Sequence, residues 1–141
     1  MTSGTSENLR AALSQLTRVQ VNALLTIILL LRRKIKEGKA PYITASELAQ
    51  ALGRSETRAR NLLNELRRVG LVKSQNPIPL IFGKELDSRQ LMWRTTFDPM
   101  SDEVIKIILE QYKGQIDEDQ IYAYLQNPEK ANLPGEEGKE E

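Results

Sequence analysis

Nine consecutive residues, Ala23 to Leu31 (ALLTIILLL), interrupt an otherwise mixed chain and stop abruptly at Arg32-Arg33-Lys34. A membrane-spanning helix needs about 20 apolar residues, so this run predicts a helix buried in a protein core. It lies inside a longer helical segment, from about Glu7 to Glu37, ended by Gly38. A break is expected near Ser14 to Thr17, where short polar residues can cap a new start. Val21, Leu24, Leu25, Ile28, Leu31 and Ile35 share one face at helical spacing, while Ile27 and Leu30 lie off it. A helix apolar on several sides must be covered on several sides. The cover is either the N-terminal helix (Leu9, Ala12, Leu13, Leu16), the segment 101–125, or a second copy of the chain. The expectation drawn is a symmetric dimer, with Leu24, Ile27, Leu30 and Leu31 as interface candidates.

The 141 residues include no cysteine and no histidine. Disulfides, thiolate metal sites, histidine triads and histidine pH switches are therefore excluded. No GxxxxGK[ST] phosphate loop and no dinucleotide fingerprint is present. The reading is of a non-enzyme with no cofactor and no metal. The acids Asp117, Glu118 and Asp119 sit at an expected helix start, where the macrodipole favours them. The formal charge of +1 conceals an asymmetry. Residues 1–97 hold 16 Lys/Arg against 7 Asp/Glu, a balance of +9, and residues 98–141 hold 4 against 12, a balance of −8. Such a division suggests a basic working surface followed by an acidic region, which is a solubilising extension, a competitor with DNA for the basic face, or a dock for a basic protein partner.

Past Pro41, turn and cap signals become dense. Thr44-Ala45-Ser46-Glu47 is a capping box, and its short helix, with Leu48, Ala49 and Leu52, stops at Gly53. Ser55 caps a second helix, Glu56 to Val69, which Gly70 ends. Two helices joined by a short Gly-containing turn match a helix-turn-helix. Leu71 to Ser74 reads as a strand and Gln90 to Phe97 as its return, rich in aromatic and β-branched residues. The connection of about fifteen residues between them contains Pro77 and Pro79 and is long for a hairpin. Asp98-Pro99 opens another helix with Val104, Ile105, Ile108, Leu109 and Tyr112 on its apolar side, ended by Gly114. A last short helix is capped at Asp117. The expected organisation is a disordered N-terminus (1–6), a DNA-binding domain with a helical extension (7–97), C-terminal helices (98–127) and a disordered acidic tail (128–141).

In the helix Glu56–Val69, Ala59, Leu62, Leu63, Leu66 and Val69 fall on one arc at 100° per residue. Thr57, Arg60, Asn61, Asn64 and Arg68 fall on the opposite arc, flanked by Arg58 and Arg67. Glu56 is placed to pair with Arg60, and Glu65 with Arg68. The stripe fits a solvated helix face, and it equally fits base edges. Arginine forks onto guanine and asparagine onto adenine in the major groove. In a helix-turn-helix the N-terminal part of the second helix lies nearest the bases. Ser55, Thr57, Arg58, Arg60 and Asn61 are thus candidate base readers, and Asn64, Arg67 and Arg68 candidate phosphate contacts. Arg32, Arg33, Lys34, Lys36 and Lys39 form another basic cluster, explained by the favourable field at a helix C-terminus. Trp93 reads as packing at the base of the return strand.

Ile43 to Ser74 (ITASELAQALGRSETRARNLLNELRRVGLVKS) resembles the winged helix-turn-helix of MarR-, ArsR- and PadR-like transcriptional regulators. The matching residues are Ser46-Glu47-Leu48-Ala49, Leu52-Gly53, Leu62-Leu63, Leu66 and Gly70-Leu71-Val72. The return strand Arg89 to Thr96 looks like the family's wing. The resemblance covers about residues 19–97. It implies a mainly α (α+β) fold, a winged helix-turn-helix with a long N-terminal helix, a two-stranded wing and C-terminal helices. It also implies phosphate or minor-groove contacts from Lys73, Lys84, Arg89 and Arg94 on the wing. The function expected is sequence-specific binding of double-stranded DNA by a dimeric, cytoplasmic, nucleoid-associated transcriptional regulator. Two alternatives share the fold. One is a protein-interaction module of a transcription, replication or membrane-remodelling assembly. The other is a plasmid or virus partition or replication-initiation factor.

Overall fold

The computed structural model describes the backbone of residues 3–75, 91–112 and 114, and side chains from residue 8 onward within those segments. The elements are α1 (Ser3–Ser14), α2 (Arg18–Lys36), α3 (Ala45–Leu52), α4 (Glu56–Arg68), β1 (Val72–Gln75), β2 (Met92–Thr95) and α5 (Asp102–Gln111). Mostly helical, with one two-stranded antiparallel sheet, this is the winged-helix architecture expected from sequence.

The apolar run does become the central helix. Thr17 caps α2, and Gln20 returns the bond, with Gln20 N to Thr17 Oγ1 at 3.2 Å and Thr17 N to Gln20 Oε1 at 3.0 Å. These reciprocal bonds satisfy donors that a helix start leaves free, and they explain why the helical segment breaks at residues 15–17. Helix α2 is buried nearly all round, from Val21 through Leu29 except Asn22, and again at Leu31 and Arg32. It packs on α3, α4 and β2. Apolar residues of α1 and α5 join the same core.

This enclosure changes the dimer expectation. Leu24, Ile27 and Leu31 are each 0% exposed within one chain, and Leu30 is partly buried against the core. Three of the four interface candidates are thus unavailable to a second copy. The apolar excess is absorbed internally because α2 has neighbours on every side.

Helix α1 begins at Ser3, inside the segment 1–6 expected to be disordered. Once Leu9, Ala12 and Leu13 dock on the core, each further residue of helix adds a backbone bond without a new nucleation cost. Helix α5 starts later than expected. Asp98 instead forms a turn, accepting Met100 N at its carboxylate (2.9 Å) and Ser101 N at its carbonyl (3.0 Å). Arg32 then takes the Pro99 and Ser101 carbonyls, at 2.7 and 3.2 Å, which fixes this segment as a turn before the helix.

The apolar side predicted for α5 is the buried one, with Ile107 added to it. Tyr112 follows the helix, and its buried hydroxyl donates toward the carbonyls of Leu13 and Leu16, the latter at 2.8 Å. Arg10 and Glu110 add an exposed ion pair at 3.6 Å between α1 and α5. The expected helix after Asp117 and the tail 128–141 lie outside the described residues.

The sheet pairs Val72 with Thr95, Lys73 with Arg94, Ser74 with Trp93 and Gln75 with Met92. Ile43 adds a third, one-residue strand through two bonds to Trp93, Ile43 N to Trp93 O at 2.9 Å and Trp93 N to Ile43 O at 2.7 Å. Trp93 is 2% exposed, the core role expected for it. The sheet and α2 together hold α3 and α4 in place.

Candidate nucleic-acid interface

The helix-turn-helix is built by caps at every end. Thr44 Oγ1 accepts Glu47 N (3.1 Å) and Glu47 Oε1 accepts Thr44 N (2.9 Å), closing the capping box of α3. Gly53 ends α3 at φ +68°, a left-handed conformation that glycine adopts without strain. Ser55 starts α4 with its hydroxyl oxygen accepting Arg58 N at 3.1 Å. Leu62, Leu63, Leu66 and Ala59 are buried, while Val69 is only half-buried as the C-cap.

The opposite side of α4 is the surface expected from its phase. Ser55, Thr57, Arg58, Asn61, Arg67 and Arg68 are exposed, and Arg60 and Asn64 are half-buried. The two internal ion pairs expected on this helix do not form. Glu65 accepts a bond from Gln20 Nε2 at 2.9 Å instead, because α2 lies close enough to claim it. No arginine of α4 joins an ion pair among the described residues. The stripe therefore presents cationic forks and amides whose charge is not cancelled locally.

Arg67 has a different place from the one its phase suggested. Its guanidinium lies 5.6 Å from the centroid of the Trp93 ring and reaches Ser74 Oγ at 3.4 Å. It links α4 to the base of the sheet. The neighbouring arginine that sequence reasoning missed is Arg54, exposed in the turn immediately before the Ser55 cap. Its signal was its position at the helix start.

On the wing, Lys73 is exposed and Arg94 half-buried, paired across the strands. Arg94 Nη1 donates to the Tyr42 hydroxyl at 3.5 Å. Lys84 and Arg89 lie outside the described residues. The basic cluster ending α2 is largely engaged in structure. Arg32 is buried and Lys34 pairs with Glu47 at 2.8 Å, tying α2 to the capping box of α3. Lys39 pairs with Glu37 at 3.1 Å. No helix among the described residues is long and apolar enough to cross a membrane.

Residues 15–79 match a family model described as the winged helix-turn-helix transcription repressor, HrcA DNA-binding. The match spans the capped start of α2, both helices of the helix-turn-helix and β1. It supports a winged helix-turn-helix of the DNA-binding class. The family it names is the HrcA repressors, not the MarR-, ArsR- or PadR-like regulators of the sequence resemblance. No curated protein and no solved structure matches the chain.

Proposed function

We propose that this protein binds double-stranded DNA in a sequence-specific manner and regulates transcription, with α4 in the major groove. The observation that carries the reading is the α4 stripe. Thr57, Arg58, Arg60 and Asn61 stand toward the helix N-terminus, exposed or half-exposed, and none is paired with a carboxylate among the described residues. These side chains suit base edges, and Asn64 and Arg68 further along suit phosphates. The match to a repressor's DNA-binding domain supports the same class. A regulator of this kind needs no catalytic group.

Selection of bound sequences from a random duplex library tests the reading. A defined motif is expected, and a palindrome with half-sites about one turn apart, ~34 Å, is the signature of a two-fold assembly. Arg60→Ala then weakens binding by roughly 1–3 kcal/mol and relaxes preference at one base position. Absence of any enriched motif at low salt, or an unaltered motif and affinity in the Arg60 variant, overturns the assignment.

A further inference from the structure

Helix α4 stands close to the point where the chain leaves α5. Tyr112, just past the end of α5, donates to the Leu16 carbonyl at 2.8 Å. Leu16 directly precedes the Thr17 cap of α2, and Gln20, in the first turn of α2, bonds Glu65 of α4 at 2.9 Å. Only the junction between α1 and α2 thus separates the end of α5 from the later turns of α4. Gly114 follows Tyr112 by two residues and is exposed. Residues 54–68 carry five arginines against Glu56 and Glu65. Arg54, Arg58 and Arg68 are exposed and Arg60 is half-buried. None of them joins an ion pair among the described residues. Residues 115–141 hold eight Asp/Glu against two Lys, a balance of −6. Glu136, Glu137, Glu140 and Glu141 cluster there, with Lys139 the one cation among them.

We propose that α4 has a ligand within its own chain: the acidic segment 128–141 lies on the arginine face of α4 and competes with duplex DNA for it. The competition rests on the DNA-binding reading, and the contact itself does not. Between Gly114 and Glu136 the chain spans roughly 50 Å when extended, even with a helix over 117–127. That is more than twice the ~20 Å length of α4. Guanidinium forks accept carboxylates as readily as phosphates. Each such pair on an exposed surface is weak, so no single one holds the segment. The tether compensates, because a covalently linked segment reaches an effective concentration of about millimolar. Four glutamates shared among Arg54, Arg58, Arg60 and Arg68 then occupy the face at low salt and leave it as salt screens them. Every duplex must displace the segment first, so it lowers affinity for cognate and random sequences by the same factor.

The test uses the full chain in two arms, one of them free of DNA. The sequence has no cysteine, so Gly138→Cys accepts a single nitroxide label. At low salt the label is expected to broaden the amide resonances of Arg58 to Arg68 in preference to those of other exposed segments. Broadening should vanish at roughly 0.5 M salt, and also when Glu136→Gln, Glu137→Gln, Glu140→Gln and Glu141→Gln are combined. The second arm measures affinity for a random duplex and for a selected one across a salt series. At low salt the fourfold Gln chain should bind both about five- to tenfold more tightly than the parent. The gap closes as salt rises, so the parent shows the shallower slope of log affinity against log salt. A label that broadens α4 no more than other surfaces overturns the contact. Equal low-salt affinities in parent and fourfold Gln chain overturn the competition. If neither chain binds any duplex, the DNA-binding reading fails, and preferential broadening of α4 still establishes the contact.

Discussion

Replacing Arg32 with methionine keeps most of the apolar stem and removes the guanidinium. The Arg32 side chain is 8% exposed, and it donates from Nε to Pro99 O at 2.7 Å and from Nη2 to Ser101 O and Asp102 Oδ1, each at 3.2 Å. These bonds differ in worth. The Asp102 side chain is 87% exposed, and an ion pair with so exposed a partner contributes only about 0–1 kcal/mol. The two carbonyl bonds are made by a buried charged donor, and such bonds are worth ~1.5–3 kcal/mol each. Relief from burying the charge offsets part of that sum. The net expectation is a loss of ~2–4 kcal/mol, a large share of the ~5–15 kcal/mol that typical domains possess. Asp102→Asn, by contrast, should cost less than ~1 kcal/mol. Urea unfolding followed by circular dichroism and Trp93 fluorescence measures both. Equal losses in the two variants, or a neutral Arg32→Met, refutes the argument that the carbonyl bonds anchor the start of α5.

Two further outcomes follow from single hydroxyls. Thr44→Ala removes the side-chain half of the α3 capping box and should cost about 1 kcal/mol, read by thermal unfolding, with duplex affinity unchanged at fixed salt. Tyr112→Phe removes the bonds to Leu13 O and Leu16 O at a cost of about 1–2 kcal/mol. Burial raises the Tyr112 hydroxyl above its ordinary value of 10.0, against a lesser opposite pull from the Leu16 bond. The folded state therefore favours the neutral phenol. Its contribution is complete below pH 10.0 and declines as pH rises from there through the folded-state value. Unfolding free energies of the parent and the phenylalanine variant should converge across that range, and a constant difference contradicts the linkage.

Local signals in the chain led to most of these elements. Thr44 with Glu47, Ser55 before Glu56, and Gly53 and Gly70 at helix ends all act within a turn of themselves, and the structure uses each as its spacing indicates. The phase of α4 likewise separated Leu62, Leu63 and Leu66 from Thr57 and Asn61. What escaped reading depends on distant partners. Arg32 sits in a run of three basic residues, and its burial is decided by carbonyls 67 and 69 positions later. Arg67 is drawn toward Trp93 by packing that no spacing rule encodes. Tyr42 joins the sheet beside a bridge one residue long, too short to leave an alternating pattern. The enclosure of Leu24, Ile27 and Leu31 was one of two outcomes open to an all-round apolar helix, and only the positions of its neighbours decide between them.

The bonds from Tyr112 to Leu13 join residues 99 positions apart in the chain. During synthesis at ~5–20 residues per second, the apolar side of α1 therefore waits roughly 5–20 s for the helix that completes its cover. In that interval α2 can already settle among α3, α4 and the sheet, whose contacts are closer in sequence. Helix α1 is thus made well before it is closed over. A nascent chain halted before α5 emerges from the ribosome exposes Leu9, Ala12 and Leu13 to whatever binds hydrophobic surface nearby.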